Sequence, residues 1–399
     1  MQKSKVNIWW GPPKQFSNQF EDRKISWLEL FYDLVYVIAI SRITHHLSDH
    51  LNWSGFLDYT YLFGMIFWGW LNGSLHHDIH GSTGVRTNLM TLWQMLIISA
   101  LVVTLNTFSA TTLVPITIAL MAMQVFITYL WWSVGIYDKV HRKLNVPYTL
   151  CYLASLACIA VTLFLKQPFI RPFFYLSLLL NYLPPFLIHR NLKERGGEFS
   201  LSSSMTERLG LFTIILFGEV VLGIITGASQ LKEFNLQVWI NFTLAILIAF
   251  SLWWIFFSMI ADRKCKPGFL KGNWMAVAYI PTLMALGMTG VAYGGLFSSY
   301  ENTEDPHAYW IRIAFGSSIA VFLLGVVLLS SLLDYPETHR KAKGRIQQLL
   351  VTAALLVSVI TVCHFNISLA MHLLITLLIL LAVISVISKK WFLLAFPTS

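Results

Sequence analysis

Charge is scarce in this chain: Asp, Glu, Lys and Arg together make up 12% of its 399 residues. A water-soluble domain needs far more polar surface than that to cover its core. Cysteine is scarce too. Cys151, Cys158 and Cys363 fall in apolar stretches and Cys265 in a basic loop, with no C-x-x-C pair, which favours packed, reduced thiols over a redox site. No Walker loop, no G-x-G-x-x-G opening a helix and no G-x-S-x-G is present, so ATP-driven pumping by this chain alone has no support. The first 25 residues lack the continuous apolar core of a signal peptide, and their expected place is the cytosol.

Apolar and aromatic residues are abundant instead. The hydrophobic fraction is 56%, with 15 Trp and 28 Phe, and the mean hydropathy is +0.64. This is the composition of an all-α polytopic membrane protein, its aromatics suited to the membrane–water interface. A net charge of +9 does not imply nucleic acid, because the basic residues sit in short runs between apolar segments and more simply set topology. Twelve segments reach the roughly 20 apolar residues of a span, at about 26–47, 56–76, 88–108, 112–136, 148–165, 172–189, 207–227, 238–260, 273–296, 308–333, 346–364 and 367–388. Alternate loops then divide sharply. One side collects clusters such as Arg263, Lys264 and Lys266 or Arg340, Lys341 and Lys343; the other holds only Lys166, Arg171 and Lys232. The positive-inside rule puts both termini in the cytosol.

The spacing predicts two parallel six-helix repeats: a cytosolic segment 1–25, a first repeat 26–189, a cytosolic linker 190–206, a second repeat 207–388 and a cytosolic tail 389–399. The first segment opens S-W-L-E (Ser26 to Glu29) and the seventh S-M-T-E (Ser204 to Glu207), both readable as capping boxes. Trp70, Ser74 and Asp78 close the second segment at the spacing of Trp254, Ser258 and Asp262 in the eighth. Parallel repeats related by an axis along the membrane normal are a transporter architecture.

The run W-L-E-L-F-Y-D-L-V-Y-V-I-A-I (27–40) resembles the opening helix of the bacterial low temperature requirement protein A family. Trp70, Asn72, Asp78, Arg86, Gln94 and Met95 resemble the segment that follows, and E-R-L-G-L-F-T-I-I-L-F-G-E (207–219) with Trp253-Trp254 its second half. The chain departs from the family's denser acidic run after the second segment, reading H-H-D-I-H-G (76–81). Membership implies a multi-pass protein of the inner (cytoplasmic) membrane. The first helix is also similar, more distantly, to that of the two-repeat endolysosomal potassium channels and their bacterial relatives, which carries R-x-x-x-F-S-D. Phe31, Asp33, Val35, Tyr36, Ile38, Ala39 and Ile40 match; Trp27 stands at the Arg, while Arg208 and Phe212 match in the second half.

Ionisable residues inside spans are expensive, about 2.5–3.5 kcal/mol each on insertion scales, and are expected to act. Glu29 has a structural role open to it as the N3 member of a capping box. Asp33, one turn deeper, has none. Glu219 lies about 18 Å into the seventh segment at 1.5 Å per residue, the deepest carboxylate, with Arg42 a candidate counter-ion. These four, Asp33, Glu219, Glu29 and Arg42, are the expected ion or proton pathway. His76, His77, Asp78 and His80 form a second polar cluster at the cytosolic end of the second segment, near Glu29 and Asp33, where i,i+4 histidines can hold a metal. A site on the other side would use His45, His46, His364, His372 and Asp58. The leading expectation is a channel or proton-linked transporter for a small ion or solute, needing no cofactor, in contact with the lipid bilayer and no nucleic acid, and leaving a homo-oligomer open. The alternatives are a membrane-embedded metal-dependent enzyme acting on a lipid or isoprenoid, and a structural or assembly protein.

Overall fold

The structure is a computed structural model that describes residues 25–81, 84–105, 113–137, 142–192, 201–231, 233–261, 263–301, 308–363 and 367–395. The N-terminal segment and most of the expected linker, with Asp262 and His364, lie outside those residues. The described chain is helical: α1 (Trp27–Asp49), α2 (Trp53–His80), α3 (Val85–Leu105), α4 (Leu113–Tyr137), α5 (Arg142–Val161), α6 (Ile170–Tyr182), α7 (Pro184–Leu192), α8 (Ser203–Ser229), α9 (Leu236–Ile260), α10 (Phe269–Glu301), α11 (Ala308–Leu332), α12 (Glu337–Val362) and α13 (Leu369–Ala395). Helix is forced by the solvent: in hydrocarbon each backbone N–H and C=O must find its partner within the segment.

Eight of these helices, α3, α4 and α8 to α13, are long and apolar enough to cross a membrane. The remaining expected spans fall short for readable reasons. α1 and α2 have the length, but α1 carries Glu29, Asp33 and Arg42, and α2 is diluted by Tyr, Trp, Gly and Asn along its middle as well as by Asp58, Asp78 and three histidines toward its ends. The apolar part of α5 is only Asn145–Val161. The sixth expected span is cut in two at Leu183, because Pro184 cannot donate the next helical hydrogen bond but suits the first position of a new helix. Pro281, by contrast, is accommodated inside a continuous α10.

The chain divides into two compact units. Unit 1 comprises residues 1–43, 57–209 and 267–273; unit 2 comprises 44–56, 210–266 and 274–399. In unit 1, α4 packs between α3 and α5, and α5 continues the contact to α6 and α7. Its core is threaded by side-chain amides. Gln124 and Asn181 exchange a reciprocal pair of hydrogen bonds, each 2.9 Å. Tyr152 donates to Asn72 Oδ1 at 2.7 Å, and Trp68 donates to the Asn181 carbonyl at 3.0 Å. Arg171 grips Asp58 with two hydrogen bonds, at 3.1 and 3.0 Å, so Asp58 belongs to an ion pair in unit 1.

In unit 2, α9 packs on α11 and α13, and α12 on α11 and α13. The core is aromatic, with Phe217, Phe256, Phe257 and Phe322 in mutual ring contact. α8 and α10 meet backbone to backbone: a Cβ on Gly223 would lie 2.4 Å from the Gly290 carbonyl oxygen, and one on Gly227 2.8 Å from Gly294 Cα. Such contact is open only to glycine and is a recurrent helix-packing device in membranes. The loops after α9 and α11 are pinned by a short antiparallel bridge between Cys265 and Leu333.

Candidate functional site

The first turn of α1 begins as its sequence demands. Glu29 N donates to Ser26 Oγ at 3.3 Å, and Glu29 Oε2 accepts from Ser26 N and Ser26 Oγ, both at 2.9 Å. This is the expected capping box, and it fixes where the Glu29 carboxylate must sit. Asp33 follows at i+4, so both carboxylates lie on one face of α1. That face is wholly buried: Asp33 is 0% exposed and Glu29 1%.

The counter-ion is Arg208, 1% exposed, in the first turns of α8. Its Nε donates to Asp33 Oδ2 at 3.1 Å and its Nη2 to Asp33 Oδ1, a bidentate fork, while Nη1 reaches Glu29 Oε1 at 3.4 Å. Trp70 Nε1, from α2, donates to Asp33 Oδ1 at 2.6 Å. The guanidinium lies over the Tyr32 and Trp70 rings, 5.7 and 5.9 Å from their centroids. Planarity and a fixed donor fork suit Arg to this role where Lys would not serve. His77 adds an imidazole, Nε2 at 3.7 Å from Glu29 Oε1. Two carboxylates thus share one guanidinium. With all three ionised the group carries one net negative charge, and one proton on His77 or a carboxylate makes it neutral. Tyr32 extends the network, donating to Gln94 Oε1 of α3 at 2.9 Å.

The expected second capping box is different in detail. Ser202, not Ser204, caps α8, accepting from Met205 N at 3.0 Å. Ser204 Oγ instead donates to Asp78, as does Ser202 Oγ, and Glu207 is exposed. A carboxylate placed at the start of a helix gains from the exposed N–H groups and the dipole there. Asp78 therefore secures the end of α8 that carries Arg208.

The polar cluster of α2 divides accordingly. His77 turns to Glu29 and Asp78 to α8, while the His76 and His80 rings lie 5.6 Å apart and both contact Trp131. Among the described residues no group of three His, Cys, Asp or Glu is placed to hold a metal ion. Arg42 is exposed; the guanidinium that answers the carboxylates of α1 is Arg208. Glu219 is half-buried on α8 in unit 2. In sequence, Arg208 shows as part of the E-R-L-G-L-F run and as a match to the channel-type R-x-x-x-F pattern, and Trp70 as a motif tryptophan. The signal for both is that an Arg or a Trp N–H deep in an apolar helix needs an acceptor, and Asp33 is the acceptor without a local partner.

Taken together, the apolar helices and the buried ion network define an integral, multi-pass α-helical membrane protein. The family model for the bacterial low temperature requirement A protein (LtrA) matches residues 24–385. The chain belongs to that family. No curated protein matches it.

Proposed function

We propose that the chain moves a small ion or solute across the cytoplasmic membrane, linked to the binding and release of a proton by the Glu29–Arg208–Asp33–His77 cluster. The observation that carries this reading is the unequal charge count in a wholly buried site. Glu29 also closes the capping box of α1, but an uncharged Gln serves a capping box equally, so the second buried negative charge is needed neither by the cap nor by an ion pair, and buried ionisable groups in membrane helices mark ion and proton paths. A proton that arrives from one side and leaves to the other changes the cluster's net charge, and with it the hold of α1 on α8 through Arg208. Within this reading the twelve segments all span, as two parallel six-helix repeats with cytosolic termini, and Glu219 is a second protonatable station on α8. The alternative metal enzyme has no metal-holding group among the described residues to support it.

The test is flux in proteoliposomes, scanning K⁺, Na⁺ and H⁺ separately. Asp33→Asn and Glu219→Gln stand beside the wild type, with folding checked by size-exclusion profile and helicity. Flux carried by the wild type and abolished by Asp33→Asn in folded protein supports the reading. Equal flux in wild type and Asp33→Asn would remove the cluster from the pathway.

A further inference from the structure

At one end of unit 2 the chain gathers basic side chains on a fixed frame. α9 ends at Ile260, α11 at Leu332, and α12 begins at Glu337. All three are long and apolar enough to span a membrane, which sets the segments joining them at the membrane surface. The bridge between Cys265 and Leu333 ties two of those segments together: Lys266 N donates to the Leu332 carbonyl and Asp334 N to the Lys264 carbonyl, both at 2.9 Å. Cys265 and Leu333 are buried, so the alternation of extended backbone turns Lys264 and Lys266 the other way. Lys264 is exposed, and Lys266 Nζ donates to the Ser331 carbonyl at 2.7 Å. Tyr335 is buried with its hydroxyl on the Met259 carbonyl. Its ring gathers two cations, the Arg263 guanidinium 4.2 Å and the Lys343 ammonium 4.7 Å from the centroid. Arg340, exposed, shares a face of α12 with Lys343 at i, i+3. Lys266, Arg340 and Arg263 all repel Lys343, and Asp334 attracts it.

Topology asks for positive charge on one side of the membrane; it does not ask for that charge to be fixed in an array. Here like charges are held together by a buried ring and a backbone bridge. The nearby acids, Asp334 and Glu337, form no ion pair with Lys264, Arg340 or Lys343 among the described residues. What answers such an array is an anion fixed at the depth of the span ends, where lipid phosphates lie. We infer that this end of unit 2 binds the phosphate of an anionic phospholipid headgroup. Arg263, Lys266 and Lys343 are already engaged with the frame and supply the field. Lys264 and Arg340 are the exposed donors, a point charge and a planar fork for phosphate oxygens. One or two turns deeper, Trp253 and Trp254 on α9 and Leu328 on α11 are exposed. They give the acyl chains of the same lipid an apolar wall, which a free phosphate would not use.

The experiment is thermal unfolding of the full chain in phosphatidylcholine nanodiscs at fixed ionic strength, with phosphatidylglycerol replacing phosphatidylcholine stepwise. Saturable stabilisation by phosphatidylglycerol is expected. Lys264→Gln with Arg340→Gln is expected to raise the half-saturating fraction by roughly fivefold or more. Lys389→Gln with Lys390→Gln removes the same charge from α13 and is expected to leave that fraction near the wild-type value. Should the first pair fail to fold, the single changes Lys264→Gln and Arg340→Gln, both at exposed positions, carry the comparison. No stabilisation by phosphatidylglycerol would overturn the inference, as would a wild-type response in the first pair. Equal weakening by the two pairs would overturn it too, since diffuse surface charge gives that result. So would the same stabilisation from inorganic phosphate in pure phosphatidylcholine discs, which would make the ligand a free anion. None of these residues belongs to the Arg208 cluster, so the flux result neither supports nor sinks the inference.

Discussion

Both units bury aromatic rings, but unit 1 adds paired amides and an ion cluster, and unit 2 adds close glycine contacts. The contrast is visible in hydropathy as well as in contacts. Of the helices lying wholly in unit 1, α3 and α4 are long and apolar enough to span a membrane, while α5, α6 and α7 are not; all of those wholly in unit 2, α9, α11, α12 and α13, are. Each Asn, Gln, Asp or Arg that unit 1 places in its interior lowers the hydropathy of the helix that carries it. Stability alone does not call for such a core, since a buried ion pair replaced whole by apolar residues is often neutral or better. The polar unit is therefore where work is expected, and the apolar unit where packing dominates.

The sharpest break of that contrast is Arg208→Met. It leaves two buried carboxylates with no cation and is expected to destabilise by about 3–5 kcal/mol, read as a lowered unfolding temperature in detergent. Adding Asp33→Asn and Glu29→Gln to the same chain recovers most of the loss.

Next in size is the glycine contact of unit 2. Gly223→Ala drives a Cβ against the Gly290 backbone, which cannot swing aside, at a cost of about 1–3 kcal/mol. Gly73→Ala in unit 1 meets the tips of Gln94 and Tyr32 instead, so it costs less but severs their hydrogen bond. Thermal unfolding ranks the pair, and the reverse order would break the contrast.

Asn181→Leu leaves Gln124 without its reciprocal partner and costs about 1–2 kcal/mol, whereas Gln124→Leu with Asn181→Leu together costs less than the two singles summed. A double-mutant cycle reads the difference.

The smallest expected effect lies in the loop between α11 and α12. Burial pushes the Tyr335 hydroxyl up to about 12, against the lowering pull of Arg263, and the hydroxyl donates to the Met259 carbonyl. A folded value above the unfolded one means that its contribution is fully present below about pH 10 and is lost as pH rises toward 12. Tyr335→Phe is expected to cost about 0.5–1.5 kcal/mol at neutral pH and to flatten that alkaline loss, measured by unfolding at stepped pH.

Much of the architecture could be read from composition and local rules. Helicity and membrane residence follow from apolar runs, the cap of α1 from S-W-L-E, and the break at Leu183 from Pro184-Pro185. Asp33 stands out because nothing nearby in sequence satisfies it. What was not legible is pairing at long range. Arg208 lies 175 residues from Asp33, and no periodicity connects them. S-M-T-E satisfies the local rule, but the cap lies two residues earlier: Ser202 accepts from Met205 N, and Asp78 takes the hydroxyl hydrogens of both Ser202 and Ser204. Local hydrogen-bond rules rank candidates; which serine caps is settled together with a half-buried carboxylate from another helix.

The central claim is that the charge in unit 1 serves movement across the membrane and not folding. The direct test replaces the whole cluster at once, with Glu29→Gln, Asp33→Asn and Arg208→Gln in one chain, so that no buried charge is orphaned. Unfolding temperature and proteoliposome flux are then measured on the same preparation. The account predicts near wild-type stability with flux abolished; a folded triple variant that carries flux at the wild-type rate would contradict it.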